Sequence, residues 1–220
     1  MTWMTTLDHL FWLSLAWIGY FAIHSLLADR RVKQWVEDRW PGVMRWYRAG
    51  YNLLAIGLLI PPLGMMILWR GELLLHWQGW AGWVADGLAV ASLGLFFWTL
   101  RYYDMGEFAG TRQLATQETH VDDMMEAFSL SPLHRFVRHP WYTLALVILW
   151  TRDMDLMQLV STGWASAYFF IGSRLEERKL ADFHGAVYRR YRKMVPGLVP
   201  LPWRYLTADQ AARLIRRDSL

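Results

Sequence analysis

The chain has 220 residues, no cysteine, 55% hydrophobic residues and only 19% charged ones. These figures exclude a disordered chain, a disulfide scaffold, a thiolate metal site, an Fe–S cluster and a cysteine nucleophile. The net charge of +4 and the pI of about 9.5 admit nucleic acid as a partner only until the basic residues are placed along the chain. Fifteen tryptophans in one short, apolar chain point to a bilayer, because Trp gathers at membrane interfaces.

Four apolar stretches follow in chain order. The first runs from about Leu7 to Ala28, the second from Gly50 to Trp69, and the third from about Trp80 to Tyr103. Each has the roughly 20 residues that a spanning helix needs. The fourth, Trp141 to Gly172, is too long for one pass and is broken by Thr151-Arg152-Asp153-Met154-Asp155. It predicts a hairpin: a short helix near 140–151, a polar turn, and a long helix from about 155 to beyond 180. The expectation is an all-α polytopic membrane protein with about five transmembrane helices, including the C-terminal helical hairpin, followed by cytosolic C-terminal helices. Residues 1–220 are expected to form one integral membrane domain. Within it lie a three-helix part (1–103), a cofactor-binding part (104–206) and an amphipathic tail (207–220).

The basic residues orient these spans. With the N-terminus outside, all Lys and Arg except Arg70 and Arg152 fall on segments facing inward, as the positive-inside rule requires. This pattern explains the pI without nucleic acid and places the C-terminus in the cytoplasm; a bacterial inner membrane is the expected location. The first stretch lacks a basic n-region and a small-residue cleavage site, so it reads as an anchor. Pro61-Pro62 is expected to kink or break the second helix. Asp86, near the start of the third, is a candidate functional carboxylate or a hydrated interfacial one. His24 reads as interfacial. Thr207 reads as the N-cap of a terminal amphipathic helix with Ala211, Leu214 and Ile215 on one face.

Two polar clusters flank the hairpin on one side. Arg135-Phe136-Val137-Arg138-His139-Pro140-Trp141-Tyr142 precedes it, and Arg174-Leu175-Glu176-Glu177-Arg178-Lys179 ends it. A hairpin brings its ends together, so Arg138-His139 is expected near Arg174 to Glu177. Adjacent glutamates on a helix point about 100° apart, so one can face a cleft while the other pairs with Arg174 or Arg178. Carboxylates suit an ammonium or ribose hydroxyls, and arginine suits a carboxylate. His139-Pro140 opens a helix whose first N–H groups take polar ligands. Tyr142, Tyr188 and Tyr191 offer aromatic faces and hydroxyls. The cluster therefore fits a polar ligand with an amino-acid end. It also fits a basic juxtamembrane patch that binds anionic lipid.

A longer pattern runs through these residues. Arg138-His139-Pro140-Trp141-Tyr142 is followed, after the hairpin, by Glu176-Glu177-x-x-Leu180-x-x-Phe183-x-Gly185-x-x-Tyr188-x-x-Tyr191-x-x-x-Val195-Pro196 and Pro200. This resembles the isoprenylcysteine carboxyl methyltransferase and phospholipid methyltransferase superfamily over about 130–202. Glu107-Phe108-Ala109-Gly110-Thr111-Arg112-Gln113 is similar to an element of its methanethiol S-methyltransferase and NnrU-like branch, with Ala109 as an extra residue.

The resemblance implies S-adenosylmethionine as cofactor. Arg138, His139, Pro140, Tyr142, Arg174, Glu176, Glu177, Tyr188 and Tyr191 would then bind it. Where relatives often carry Gly-Pro-Tyr-Arg, this chain has Pro132-Leu133-His134-Arg135.

Methyl transfer is an in-line displacement that needs alignment and exclusion of water but no metal. The implied acceptor is small or lipophilic, a thiol first, entering from the lipid side between the hairpin and the first or third helix. Glu176 and His139 are the catalytic candidates, with His184 a further possible base. Two competing readings stand beside this one: a non-catalytic NnrU-like accessory protein of nitrogen-oxide metabolism, and an NADPH-dependent enzyme resembling sterol reductases. His120, His134 and His139 do not have the i, i+4 spacing of a helical metal pair. Asp122, Asp123 and Glu126 read as a solvated acidic loop, and Met124 and Met125 as packing residues.

Overall fold

A computed structural model describes residues 3–116 and 130–218. His120, Asp122, Asp123, Met124, Met125 and Glu126 lie outside the described residues. In chain order the elements are α1 (Trp3–Ala28), α2 (Arg30–Arg39), α3 (Met44–Leu68), β1 (Leu73–Leu75), α4 (Gly79–Thr99), α5 (Met105–Ala109), α6 (Thr111–Thr116), α7 (Pro140–Trp150), β2 (Met154–Asp155), α8 (Leu156–Phe183), α9 (Gly185–Met194) and α10 (Ala208–Asp218). The protein is an all-α polytopic membrane protein. Among the described residues three helical stretches, Trp3–Ala28, Pro41–Leu68 and Gly79–Tyr102, are long and apolar enough to cross a bilayer, and α7 is a shorter apolar helix. Their outward faces carry bare aliphatic side chains: Ile56, Ile60 and Ile67 expose 63%, 67% and 60% of their surface. Such helices are stable only in lipid, which solvates the side chains while each helix satisfies its own backbone.

The chain divides into two compact units. The first comprises the described residues of 1–75, 103–125 and 153–164. Its core is Leu13, Trp17 and Met157, packed by Leu59, Met65 and Trp69. Two reciprocal bonds tie α1 to the start of α8: Trp17 Nε1 donates to Ser161 Oγ (2.9 Å) and Trp164 Nε1 donates to Ser14 Oγ (3.1 Å). In lipid, where helix association gains no hydrophobic drive, such bonds and close packing hold helices together. His24 lies against Tyr51, with 2.6 Å between Nε2 and the phenol oxygen. α3 runs through Pro61 and Pro62 without a break. The two prolines remove the N–H groups that would bond the carbonyls of Gly57 and Leu58; of the kink or break expected from sequence, the helix shows no break.

The polar turn after α7 does more than reverse the chain. Asp155 is 2% exposed and caps α8: its Oδ1 accepts from Gln158 N, while Gln158 Oε1 accepts from Asp155 N. β2 pairs antiparallel with β1. Further along, Asp104 caps α5 by accepting from Gly106 N and Glu107 N. Gly110 closes α5 at φ +86°, and a Cβ there would stand 2.7 Å from Ala49 N. Only glycine allows that turn and that approach. Arg48 Nε and Asn52 Nδ2 of α3 both donate to the Phe108 carbonyl, so the Glu107–Gln113 motif is anchored on α3.

The second unit comprises the described residues of 76–102, 126–152 and 165–220. α7 packs on α4, where Trp141 Nε1 donates to Thr99 Oγ1 (2.9 Å). Trp150 Nε1 donates to Ser166 Oγ on α8, and the Tyr142 ring stacks on Phe169, so α7 and α8 run antiparallel as the hairpin requires. Asp86 pairs with Arg152 Nη2 at 2.9 Å. The carboxylate that sequence offered as a functional candidate is therefore partnered near one end of the hairpin. At the other end, α9 and α10 share a core of Tyr188, Tyr191, Val195, Leu206, Ala211 and Leu214. Thr207 and Gln210 cap α10 reciprocally, and the helix packs on the protein through Ala211 and Leu214.

Candidate functional site

The site is built by four short segments of the second unit. A 3-10 turn over Pro132–Arg135 leads into it. Ser131 and His134 form a reciprocal cap, with Ser131 N donating to His134 Nδ1 (3.1 Å). Burial, helped by the nearby positive His139, drives the His134 pKa down to about 4, so this ring is neutral and structural. Arg138 and His139 then meet the 195–199 segment: Arg138 N donates to Pro196 O (2.9 Å), His139 N to Gly197 O (3.2 Å) and Thr143 Oγ1 to Leu198 O (2.6 Å). His139 precedes Pro140, which begins α7.

The two glutamates do different work. Glu177 is buried, its side chain 5% exposed, and its Oε1 accepts from Arg138 Nε (2.9 Å), Arg138 Nη2 (2.6 Å) and His139 Nε2 (3.2 Å). Glu176 keeps 47% of its side chain exposed; its Oε2 accepts from the Tyr142 hydroxyl (3.3 Å) and lies 3.4 Å from His139 Nδ1. The Arg138 guanidinium also donates to the carbonyls of Arg192 and Val195, and Arg204 Nη2 donates to Lys193 O. Two arginines from outside thus satisfy the open carbonyls at the end of α9, where the helix dipole favours cations. Gly197 backs the ion pair: a Cβ there would lie 3.4 Å from Arg138 Nη2 and 3.7 Å from Glu177 Oε1.

Charge and burial compete at His139 and Glu177. Burial alone would lower the His139 pKa, but hydrogen bonds to Glu176 and Glu177 outweigh it and hold the imidazole above its usual value. Burial alone would raise Glu177, but His139 and Arg138 hold it below the carboxylate range. The signs define a window. The His139 contribution to stability is complete below its ordinary value of 6.5 and is lost as pH rises through the raised one. The Glu177 contribution is present above its ordinary 4.5 and is lost as pH falls. The thermal midpoint in detergent is therefore expected to decline on the alkaline side, and His139→Gln should remove that part of the decline. Equal pH dependence in both proteins would show that the imidazolium is not formed.

Beside this ion pair lies a cavity of about 790 Å³. Its polar end is lined by Arg138, Glu177, Arg174, Arg178, Arg192 and Arg204. Leu146, Phe170, Leu198 and Val199 line the rest. The Arg174 guanidinium sits 4.7 Å over the Phe170 ring. Among the residues expected from sequence, Arg138, Arg174 and Glu177 line the cavity. His139, Pro140, Tyr142 and Glu176 adjoin it through the ion pair and the His139–Tyr142–Phe169 stack, whose ring centroids are 5.4 and 4.9 Å apart. Tyr188 and Tyr191 are buried behind it; Tyr191 donates to His134 O, and burial next to Glu177 raises the Tyr188 phenol pKa. Arg192, Gly197 and Arg204 belong to the site although sequence reading passed over them. The Val195-Pro196-Gly197 run and the basic end of α9 were the available signals. Among the described residues no cluster of His, Asp and Glu is placed to hold a metal ion.

The fold is that of an integral membrane protein, and a polar cavity lies at the end of its apolar helical hairpin. No family model and no solved structure matches the chain. Curated proteins do. The methanethiol S-methyltransferase of Pseudomonas deceptionensis is 30% identical over 193 residues, which cover 83% of this chain and 70% of that protein. Methanethiol S-methyltransferase 1 of Bradyrhizobium diazoefficiens is 30% identical over 87% of this chain and 67% of its own length. The Mycobacterium tuberculosis protein of the same name is 28% identical over 87% and 79%. The chain belongs to the methanethiol S-methyltransferase family, the branch that Glu107–Gln113 resembles.

Proposed function

We propose that the protein transfers the methyl group of S-adenosylmethionine to the sulfur of a thiol at the cytoplasmic face of a bacterial inner membrane. The observation that carries the reading is the mixed donor set around one cavity, in a chain whose relatives are methanethiol S-methyltransferases. That set fits the proposed donor: guanidinium groups match a carboxylate and the Glu177 carboxylate matches an ammonium. Bound S-adenosylmethionine would supply an electrophilic methyl on a sulfonium, whose S–C bond breaks as the acceptor's S–C bond forms.

The residues divide the work. Arg174 and Arg178 hold the carboxylate of the amino-acid end. Glu177, fixed by Arg138 and His139, faces the ammonium. Pro140 and Tyr142 wall the site, and Tyr188 and Tyr191 support it from behind. Glu176, the exposed carboxylate, takes the thiol proton. His139, protonated between two carboxylates, orients Glu176 rather than acting as the base. Apolar walls keep water out. Support for the side of the membrane comes from the basic residues, which concentrate in the segment after α1 and in the C-terminal segments that carry the site.

Calorimetric titration of the purified protein in detergent tests this. Saturable heat with S-adenosylmethionine and none with NADPH is expected. Saturation by NADPH alone, or a heatless titration with both, would overturn the reading.

A further inference from the structure

A second cavity lies in the first unit, at the end of α1 where the chain enters α2 and returns through α3. It measures about 50 Å³ and is lined by Ala28, Lys33, Tyr47, Arg48 and Tyr51. A space of that size holds one small group rather than a whole ligand. Two of the lining side chains are cations and none is an acid. Among the described residues Arg48 hydrogen-bonds the protein through Nε, to the Phe108 carbonyl (3.2 Å). That bond fixes the guanidinium and leaves its terminal nitrogens to a ligand. The tyrosines are set by α1: the Tyr47 hydroxyl donates to Leu27 O (2.7 Å), and the Tyr51 oxygen stands 2.6 Å from His24 Nε2.

Aromatic side chains mark the depth of this cavity in the membrane. α2 exposes Trp35, its ring 5.2 Å from that of the exposed Trp40, and α3 exposes Trp46 under the Arg45 guanidinium. Tryptophan in such positions sits at the level of lipid headgroups. On the other side the face of α3 turns apolar. Tyr47, Tyr51, Leu54 and Leu58 recur at i, i+4, i+7 and i+11, so both leucines continue the line of the tyrosines, and neither is buried. Cation, phenol and aliphatic side chain thus follow one another in the order of phosphate, glycerol ester and acyl chain in a phospholipid. Other occupants answer less well. A free phosphate uses the cations and leaves the aliphatic line below it uncovered. A phosphocholine brings its own ammonium against Lys33 and Arg48. A headgroup of net negative charge has neither fault, and basic clefts between spanning helices take such headgroups.

We propose that the cleft between the end of α1 and the start of α3 binds one anionic phospholipid, its phosphate between Lys33 and Arg48 and an acyl chain along Leu54 and Leu58. The lipid is a structural ligand and not a substrate: its phosphate joins α2 to α3 through one cation from each. The site is independent of the thiol-transfer reading.

Two measurements on the full chain in detergent test it, and neither needs turnover. Near saturation, phosphatidylglycerol is expected to raise the thermal midpoint of the wild type by roughly 5 °C or more. The rise should vanish in Lys33→Ala, return in Lys33→Arg, and be absent when phosphatidylcholine is added to the wild type. An equal rise with phosphatidylcholine, or one unchanged in Lys33→Ala, overturns the inference. The same rise from inorganic phosphate at equal concentration also overturns it, and assigns the cavity to a free anion. The second measurement uses the wild type alone. Phosphatidylglycerol carrying a diazirine near the head of one acyl chain is photolysed on the protein, and the adducts are mapped by mass spectrometry. Adducts within 51–58 of α3 that unlabelled phosphatidylglycerol displaces and phosphatidylcholine does not support the site. A stretch left unlabelled, or displacement by both lipids alike, overturns it.

Discussion

Glu177→Ala is expected to destabilise the protein by about 3–5 kcal/mol and to abolish binding of the methyl donor. The carboxylate is buried and is shared by Arg138 and His139. Its removal takes the buried carboxylate from a guanidinium that is 10% exposed and leaves the 4% exposed imidazole to Glu176. The damage spreads, because Arg138 also holds the carbonyls of Arg192 and Val195 at the end of α9. Thermal unfolding in detergent reads the stability and calorimetry reads the binding. A double change, Arg138→Met with Glu177→Leu, removes both charges and should cost less stability than Glu177→Ala alone. Additive losses would show that the pair is not coupled.

Glu176→Gln is expected to do the opposite: the fold stands and turnover falls. Its side chain is 47% exposed and among the described residues meets the Tyr142 hydroxyl and His139, so the thermal midpoint should move little. As the group that accepts the thiol proton, its loss should lower kcat by roughly 10²–10⁴-fold. The deficit should shrink as pH rises, because an alkyl thiol then ionises without help. A uniform deficit at every pH would move Glu176 from proton transfer to positioning.

The legible parts of this protein are those in which the pattern of residues dictates a physical necessity. Apolar runs of about 20 residues can do little but span, and the Arg152–Asp155 interruption can do little but turn. From the turn came the meeting of Arg138-His139 with Glu176-Glu177, which the structure places at 2.6–3.4 Å. The branch suggested by the Glu107–Gln113 motif is the one its curated relatives carry.

Pairing was less legible than placement. Sequence favoured Arg174 or Arg178 as the salt-bridge partner of the glutamates, because they are neighbours on the same helix. Arg138 takes that role from across the hairpin, where its shorter, buried approach is stronger. The carbonyl caps supplied by Arg138 and Arg204, and the glycine that Arg138 packs against, depend on how the 195–204 segment folds back. No periodicity records that return. The pairing of Asp86 with Arg152 is of the same kind, joining residues from two separate stretches of one unit.

The account as a whole is tested most directly by isotope transfer. The protein, reconstituted in liposomes, is supplied with methanethiol and S-adenosylmethionine labelled in its methyl group, and dimethyl sulfide is collected from the headspace. Labelled dimethyl sulfide from the wild type, and only background from Glu177→Gln at equal protein content, is the predicted result. Label that stays entirely on the donor in the wild-type protein would contradict it.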